Sequence, residues 1–206
     1  MRIFTLTRGD IPASNSYVVI SGDSFSVIDP SVGYFDALRS VPEISEKKLR
    51  YVILTHAHID HFWEIVSYVK NGGAVLISHS DADKLADPHM NCSDFITGPL
   101  QVYSGEYSTL REGDKIDLGE DTLDVIEVPG HTCGSICLIG DGVIFSGDTL
   151  FAGGAYGRYD LPTGNMRELI ESIKRILSYP SEYEMYSGHG SMARLADIKK
   201  YFSLFI

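Results

Sequence analysis

Short apolar runs alternate with polar turns along the first half of the chain and predict strands interleaved with helices. Gly22 and Asp23 separate two such runs, which is typical of a β-hairpin. Apolar residues at helical spacing follow at 61–70, and glycines at 72–73 end that segment. The pattern predicts an N-terminal strand, further strands at 16–21, 24–29, 51–54 and 74–78, and helices at 34–40, 61–70 and 81–86.

The second half follows the same order of strands before helices. Between the halves, residues 87–111 contain prolines and glycines with little periodicity, so we expect a long irregular segment of the kind that forms lids or binding loops. The order in each half favours two packed sheets with helices outside, in a single domain spanning 1–206. The predicted elements are strands at 123–128, 135–139, 143–146 and 183–186 and helices at 167–177 and 193–202.

Composition and charge narrow the class of protein. Hydrophobic residues make up 44% of the chain, which predicts a folded core rather than disorder. The 17 basic and 28 acidic residues give a net charge of −11, which argues against nucleic acid as a partner and leaves a small-molecule substrate. We find no apolar run of the roughly 20 residues that a membrane span needs, and no secretory signal.

The cysteines are few and odd in number, at Cys92, Cys133 and Cys137. Such a set favours reduced thiols in the cytoplasm over a disulfide framework. Cys133 and Cys137 stand too far apart in sequence to suggest a metal-binding pair, and we expect both to be core thiols. The sequence therefore predicts a cytoplasmic protein.

The densest chemistry lies directly after the predicted strand at 51–54. His56, His58, Asp60 and His61 fall within six residues, where the backbone is expected to turn. Imidazole nitrogens and carboxylate oxygens are ligands that zinc and iron prefer. A solvated loop has no reason to collect these side chains, so the spacing predicts a metal site.

Further candidate ligands follow three other predicted strands. His131, Asp148 and His189 each come just past an apolar run, and a glycine precedes each of them. Taken singly, such a pair is typical of an ordinary turn. Strand ends that meet at one edge of a sandwich would bring these side chains to the loop at 56–61, so the joint pattern favours one centre. His79 and His89 lie outside the pattern, and we expect neither to be a ligand.

The type, order and spacing of these seven residues resemble the metallo-β-lactamase superfamily along nearly the whole chain. Segments at 129–135, 145–151 and 157–162 are similar to its glyoxalase II-like branch, the relatives of hydroxyacylglutathione hydrolase. The resemblance implies an α/β fold, a four-layer αββα sandwich with its site at one edge of the two sheets. It also implies that His56, His58 and His131 hold one metal, that Asp60, His61 and His189 hold a second, and that Asp148 bridges the two.

The resemblance further implies a metal-dependent hydrolase in which a hydroxide that bridges two divalent metals attacks a carbonyl carbon. A thioester suits this chemistry, because a thiolate leaves readily and zinc tolerates sulfur. Asp60 is the expected catalytic residue, since it could hold the hydroxide by a hydrogen bond as the proton departs. Zinc is the favoured metal, with iron or manganese as alternatives.

Three more residues are candidates for orienting the ligands or contacting substrate. Asp29 resembles the family's aspartate beside the metals, although a capped turn before Pro30 explains it equally well. Arg158 could face an anionic substrate, but we favour a pair with Asp160, because Arg–carboxylate forks order loops. Tyr156 either lines the pocket or packs.

Several alternatives remain open at this level. Glyoxalase II proper carries a C-terminal helical extension that binds glutathione, whereas the residues after His189 provide for one helix, so a smaller or different thioester is expected. A persulfide dioxygenase with a single iron and a lactonase share much of the ligand set. The closing helix and the segment at 87–111 each offer a surface for a homodimer.

Overall fold

The computed structural model describes residues 1–7, 13–31, 35–96 and 100–202. The first half contains β1 (Arg2–Leu6), β2 (Ser16–Ser21), β3 (Ser24–Ile28), α1 (Phe35–Arg39), α2 (Pro42–Ser45), β4 (Lys48–Ile53), α3 (Ile59–Phe62), α4 (Ile65–Lys70), β5 (Ala74–Ser78), a 3₁₀ turn (Ala82–Ala86), α5 (Ser93–Ile96) and β6 (Ser108–Leu110). The second half contains β7 (Lys115–Asp117), β8 (Thr122–Glu127), β9 (Ile136–Gly140), β10 (Val143–Gly147), a 3₁₀ turn (Ala152–Gly154), α6 (Met166–Leu177), β11 (Glu184–Ser187), β12 (Ala193–Arg194) and α7 (Leu195–Phe202).

The strands form two six-stranded mixed sheets. The first has the order β1-β2-β3-β4-β5-β6, and the second has the order β12-β11-β10-β9-β8-β7. β3, β4, β5 and β6 pair in parallel, whereas β1, β2 and β3 form an antiparallel meander. In the second sheet only β10 and β11 pair in parallel, and the other neighbours are antiparallel.

Three apolar layers hold the sheets and helices together. They arise because successive side chains of a strand point to opposite faces of its sheet. In β2, Tyr17 and Val19 face the other sheet, whereas Val18 and Ile20 face the helices of the first half. In β9, Leu138 packs between the sheets and Cys137 packs against α6 and α7. Since both faces of these strands are covered, their sequences are almost continuously apolar. The layers therefore run helix, sheet, sheet, helix, and the predicted αββα sandwich is confirmed.

The sequence of α6 explains where that helix begins and which face it buries. The Asn165 side chain accepts hydrogen bonds from the backbone N–H groups of Arg167 and Glu168, at 3.0 and 3.4 Å, and so caps the first turn. Leu169, Ile173 and Ile176 recur at helical spacing and pack on the second sheet.

Several element boundaries differ from the sequence prediction. The predicted helix at 61–70 is divided between α3 and α4. Ala193 and Arg194, which begin the predicted closing helix at 193–202, instead form β12 by pairing with β11. The predicted irregular segment at 87–111 contains α5 and β6, and part of it, at 97–99, lies outside the described residues. The predicted helix at 34–40 is found as α1, although Tyr34 lies outside the described ranges. The sequence pattern missed α2 and β7 altogether.

Cys137 is a core thiol as expected, but Cys133 is exposed, because it lies in the loop after β8 rather than in a strand. Among the described residues, no helix is both long enough and apolar enough to cross a membrane.

Candidate metal centre

The candidate ligands lie past the C-terminal ends of strands that finish at the same edge of the sandwich. The loop at 54–58 follows β4, His131 follows β8, Asp148 follows β10 and His189 follows β11. β8, β10 and β11 run in the same direction within their sheet, so their ends open toward one side. The backbone N–H of Ile136 donates to the Thr55 carbonyl at 2.9 Å and joins the two sheets beside the centre.

The first ligand group consists of His56, His58 and His131, which we call the first triad. Their ring nitrogens converge: His56 Nε2 lies 3.1 Å from His58 Nδ1, and His131 Nε2 lies 3.2 and 2.9 Å from those two atoms. All three side chains are buried. Nitrogens bound to zinc at about 2.0–2.1 Å in a tetrahedron lie roughly 3.4 Å apart, so the observed spacing fits one cation at the centre.

The second ligand group consists of Asp60, His61 and His189, which we call the second triad. His189 Nε2 lies 3.2 Å from Asp60 Oδ2, and His61 Nε2 lies 3.8 Å from the same oxygen. The His61 ring is fully buried, whereas the His189 side chain is 38% exposed. Solvent therefore reaches the centre from the side of His189.

Asp148 lies between the two triads. Its Oδ2 is 3.7 Å from His131 Nε2 in the first triad and 3.4 Å from His189 Nε2 in the second. Its Oδ1 is 3.4 Å from His61 Nε2, and both of these buried atoms lack a hydrogen-bond partner among the described residues. Two buried polar atoms that face each other without hydrogen-bond partners are expected where a cation completes the site.

Asp29 orients His61 and, through Thr55, His56. Asp29 Oδ2 accepts from Thr55 Oγ1 at 2.7 Å and lies 2.9 Å from His61 Nδ1, while its Oδ1 accepts from the Thr55 backbone N–H at 2.8 Å. A proton on His61 Nδ1 completes the hydrogen bond from His61 to Asp29 Oδ2 and leaves His61 Nε2 to face Asp148. Asp29 also has a left-handed φ of 52°, a strained conformation that these hydrogen bonds hold in place.

Thr55 fixes the tautomer of His56 in the same way. Because the Thr55 hydroxyl donates to Asp29, it can accept from His56 Nδ1, which lies 3.2 Å away. The His56 Nε2 lone pair then faces the other imidazoles of the first triad.

Arg158 contacts the centre through its backbone rather than through its side chain. Its carbonyl oxygen accepts from His131 Nδ1 at 2.6 Å, which leaves His131 Nε2 free to face the triad. The guanidinium instead forms a two-bond fork with Asp160, at 2.9 and 2.8 Å, in which both side chains are exposed. The favoured Arg158–Asp160 pair is thus present, and its position is on the surface.

Tyr156 lies in a groove beside α6 and α7 rather than among the candidate ligands. The groove is also lined by Met166, Ile170 and Tyr201, and the Tyr156 side chain is half exposed. Its neighbour Gly157 packs against the centre, since a Cβ at that position would lie 1.9 Å from the Asp148 carbonyl oxygen.

Glycines let the backbone approach the ligands closely. A Cβ on Gly188 would lie 2.0 Å from Asp148 Oδ1 and 2.6 Å from His61 Cε1. Gly147, before Asp148, has a left-handed φ of 50°, and a Cβ there would meet Thr55 at 2.6 Å. The glycines that precede the ligands in the sequence therefore have a steric reason to be there.

In the metal-free protein, imidazoles from the two triads have pKa values that are shifted in opposite directions. Burial, reinforced by the neighbouring imidazoles, holds the pKa of His56 well below its ordinary value and lowers that of His58 to about 3. Burial also disfavours the charged form of His61, but Asp148, Asp29 and Asp60 outweigh it and raise the His61 pKa. Burial is likewise overcome at His189, where hydrogen bonds with Asp148 and Asp60 raise the pKa to about 9. His56 and His58 are therefore neutral candidate ligands in the first triad, whereas the second triad carries positive charge on its imidazoles.

The carboxylates of the centre respond in the opposite sense. Burial alone would raise their pKa values, but His61 and His189 outweigh burial and lower the pKa of both Asp60 and Asp148. The ionised carboxylates and the imidazoles form three overlapping groups whose ligand atoms lie within 4.8 Å of one another: His56-His58-His131, His56-His61-Asp148 and Asp60-His61-His189.

Sequence reasoning missed several residues that support the ligands. The Asn15 side chain donates to the carbonyls of Ser187 and Gly190, at 2.9 and 2.8 Å, on either side of His189. Tyr17 also donates to the Ser187 carbonyl, at 2.5 Å. Asp81 accepts from Ala57, between two ligands of the first triad. The sequence carried little that could have identified these residues. Asp81 alone has a recognisable position, because it follows a strand as Asp148 does.

An αββα sandwich with buried imidazoles and carboxylates at one sheet edge defines a protein built to bind divalent metals. The family model described as the metallo-beta-lactamase superfamily matches residues 9–189, and the chain belongs to this superfamily. The predicted family is thereby confirmed.

Known proteins resemble this chain over most of its length. The probable metallo-hydrolase YqgX of Bacillus subtilis is 32% identical over 192 residues, covering 86% of this chain and 85% of the relative. The hydroxyacylglutathione hydrolase of Vibrio cholerae is 29% identical over 164 residues, covering 80% of this chain and 56% of that longer enzyme. The crystal structure of the B3 metallo-beta-lactamase BLEG-1 superposes with a TM-score of 0.86 at 27% identity, covering 97% of both chains.

Proposed function

We propose that the protein is a metal-dependent hydrolase that cleaves a thioester. The observation that carries the proposal is the pair of triads that share Asp148, with ligand atoms close enough for two cations. Similarity to a probable metallo-hydrolase and to a hydroxyacylglutathione hydrolase supports hydrolysis and favours a thioester among the possible substrates.

In this proposal His56, His58 and His131 hold one divalent metal, and Asp60, His61 and His189 hold the other. Asp148, which lies between the two triads, would be shared by both metals. The donor set of imidazole and carboxylate suits zinc, iron or manganese, and the three nitrogen donors of the first triad favour zinc. When bound, the metals would supply Lewis acidity and lower the pKa of a water molecule to about 7.

The chain's own residues then position the substrate and handle the proton. The partly exposed His189 leaves an approach for the substrate on its side of the centre. Asp60, whose carboxylate is ionised beside His189, accepts a hydrogen bond from the attacking water and receives its proton. The water oxygen bonds to the thioester carbonyl carbon, the carbon–sulfur bond breaks, and Asp60 passes its proton to the departing sulfur, so that the products are a carboxylic acid and a thiol.

The test is reconstitution of metal-free protein with zinc, followed by assay against acyl-glutathione, acyl-coenzyme A and acyl-homoserine lactone substrates. Thiol release from the thioesters is followed with a thiol-reactive chromophore, lactone opening with a pH indicator, and oxygen uptake on a persulfide with an oxygen electrode. We expect zinc-dependent thioester cleavage that Asp148→Asn lowers at least about 100-fold, because the neutral amide removes a charge that would stabilise the reacting centre and losses of that order follow from removing one such group. Asp160→Asn, in the exposed fork with Arg158, is the matched control and should keep its activity.

Each alternative substrate class has a distinct outcome in this assay. Cleavage of the lactone without any thioester would contradict the proposal and favour a lactonase. Full activity with one iron per chain, coupled to oxygen uptake on a persulfide, would favour a persulfide dioxygenase.

A further inference from the structure

Asp81 is a buried carboxylate that the proposed reaction does not use. It follows β5 (Ala74–Ser78), and its side chain is fully buried between the loop that carries His56 and His58 and the loop that carries His131. Burial raises its pKa, although hydrogen bonds from Thr132 and Ala57 oppose that shift. Such a group is costly to bury, so its contacts indicate why the fold retains it.

The contacts of Asp81 join the two loops of the first triad. Asp81 Oδ2 accepts from the backbone N–H of Ala57 at 3.1 Å and from Thr132 Oγ1 at 2.7 Å. Ala57 lies between His56 and His58 in sequence, and Thr132 directly follows His131. One carboxylate oxygen therefore constrains the backbone beside all three nitrogen ligands.

The far side of the second loop is held just as closely. Gly134 packs against Asp81, because a Cβ on Gly134 would lie 2.6 Å from Asp81 Oδ1. Thr132 Oγ1 is 2.7 Å from Ser135 Oγ, and its backbone N–H donates to the same Ser135 oxygen at 3.1 Å. The turn at 132–135 is thus folded around the carboxylate.

We propose that Asp81 is a positioning residue that sets the metal affinity of the first triad by fixing its two loops relative to each other. The proposal rests on the proposed metal binding at His56, His58 and His131. Supports of this kind around metal ligands change affinity by about 10- to 100-fold when they are removed. The second triad has its own support from Asn15 and Tyr17, so we expect its affinity to change much less.

The test compares the full-length wild-type protein with three variants and a control. Asp81→Leu removes every side-chain acceptor, and Asp81→Asn keeps one oxygen that can serve Ala57 and Thr132. Thr132→Val removes the hydrogen bonds that the Thr132 hydroxyl makes with Asp81 and Ser135. Asp121→Asn is the control, because Asp121 accepts from Ser21 Oγ at 2.8 Å at the opposite edge of the sandwich. Zinc affinity is measured by competition with a chromophoric chelator, and cobalt substitution reports ligand geometry through its visible spectrum.

We expect Asp81→Leu to lower the zinc affinity of one of the two sites, the first triad, by about 10- to 100-fold. The same substitution should alter the cobalt spectrum. Asp81→Asn should restore most of the affinity, and Thr132→Val, which has little reason to misfold, should lower it several-fold. The control should match the wild type. Wild-type zinc affinity in both Asp81→Leu and Thr132→Val would overturn the proposal. If Asp81→Leu misfolds, wild-type affinity in Thr132→Val alone would overturn it. A lower melting temperature with no change in zinc affinity would overturn it as well. A wild-type protein that binds no zinc would instead contradict the proposed function on which this inference rests.

Discussion

Adding one methyl group at Gly188 should disable the centre without removing any ligand. A Cβ at this position would lie 2.0 Å from Asp148 Oδ1 and 2.6 Å from His61 Cε1. The φ of Gly188 lies outside the left-handed region, so alanine is compatible with the backbone itself. The cost of Gly188→Ala therefore comes from the contact with the ligands.

The size of the effect follows from that overlap. An ordinary carbon–oxygen contact is about 3.3 Å, so Asp148 and His61 must move by roughly 1 Å to admit the methyl group. A displacement of about 1 Å at a reacting centre lowers rates by about 100-fold. We expect Gly188→Ala to lose that factor in thioester hydrolysis and to retain fewer than two metals per chain after dialysis.

Gly190→Ala is the matched control in the same loop. Gly190 has a left-handed φ of 82°, but no atom lies within 4 Å of its Cβ position. The substitution should strain the backbone by about 1–2 kcal/mol and lower the melting temperature while metal content and rate stay near wild type. Metal content is measured on both variants by atomic emission. Two metals and a wild-type rate in Gly188→Ala would refute the close packing on which the reasoning depends.

Three further predictions concern ligand support, protonation and the core. Asp29→Asn should keep the fold, since asparagine tolerates a left-handed φ, but lower metal affinity by about 10- to 100-fold in a chelator competition; unchanged affinity would rule out its role beside His61. In the metal-free protein His189 has a pKa raised to about 9, so at pH 7 it carries a proton that zinc must displace. Zinc affinity should therefore increase up to about pH 9, and calorimetry in buffers of different ionisation enthalpy should detect proton release; its absence would contradict the charge assigned to the second triad. Leu138→Ala, between the sheets, should cost about 2–5 kcal/mol in urea unfolding, and a loss below about 1 kcal/mol would contradict tight packing there.

The sandwich could be predicted because its strands are covered on both faces. Runs such as β9 and β10 are almost wholly apolar, and their turns are marked by glycine and aspartate. The short elements could not be predicted in the same way. β12 contains only Ala193 and Arg194, and it exists because β11 supplies a pairing partner rather than because its residues favour a strand. β7 depends likewise on pairing with β8.

The candidate ligands could be predicted because metal-binding side chains are rare in such spacing, and the structure brings all seven together. Their supports were harder to find, because they act across long sequence separations. Asn15 contacts Ser187, and Asp81 contacts Thr132. Arg158 contributes its carbonyl oxygen, which every residue possesses, so its side chain gave no signal of this role.

Two metals on the paired triads are proposed to act together in thioester hydrolysis. The most direct test titrates metal-free protein with zinc and measures the rate of thioester hydrolysis at each added equivalent. We expect the rate to reach its maximum only when two equivalents per chain are bound. A maximal rate at one equivalent, or no hydrolysis at two, would contradict it.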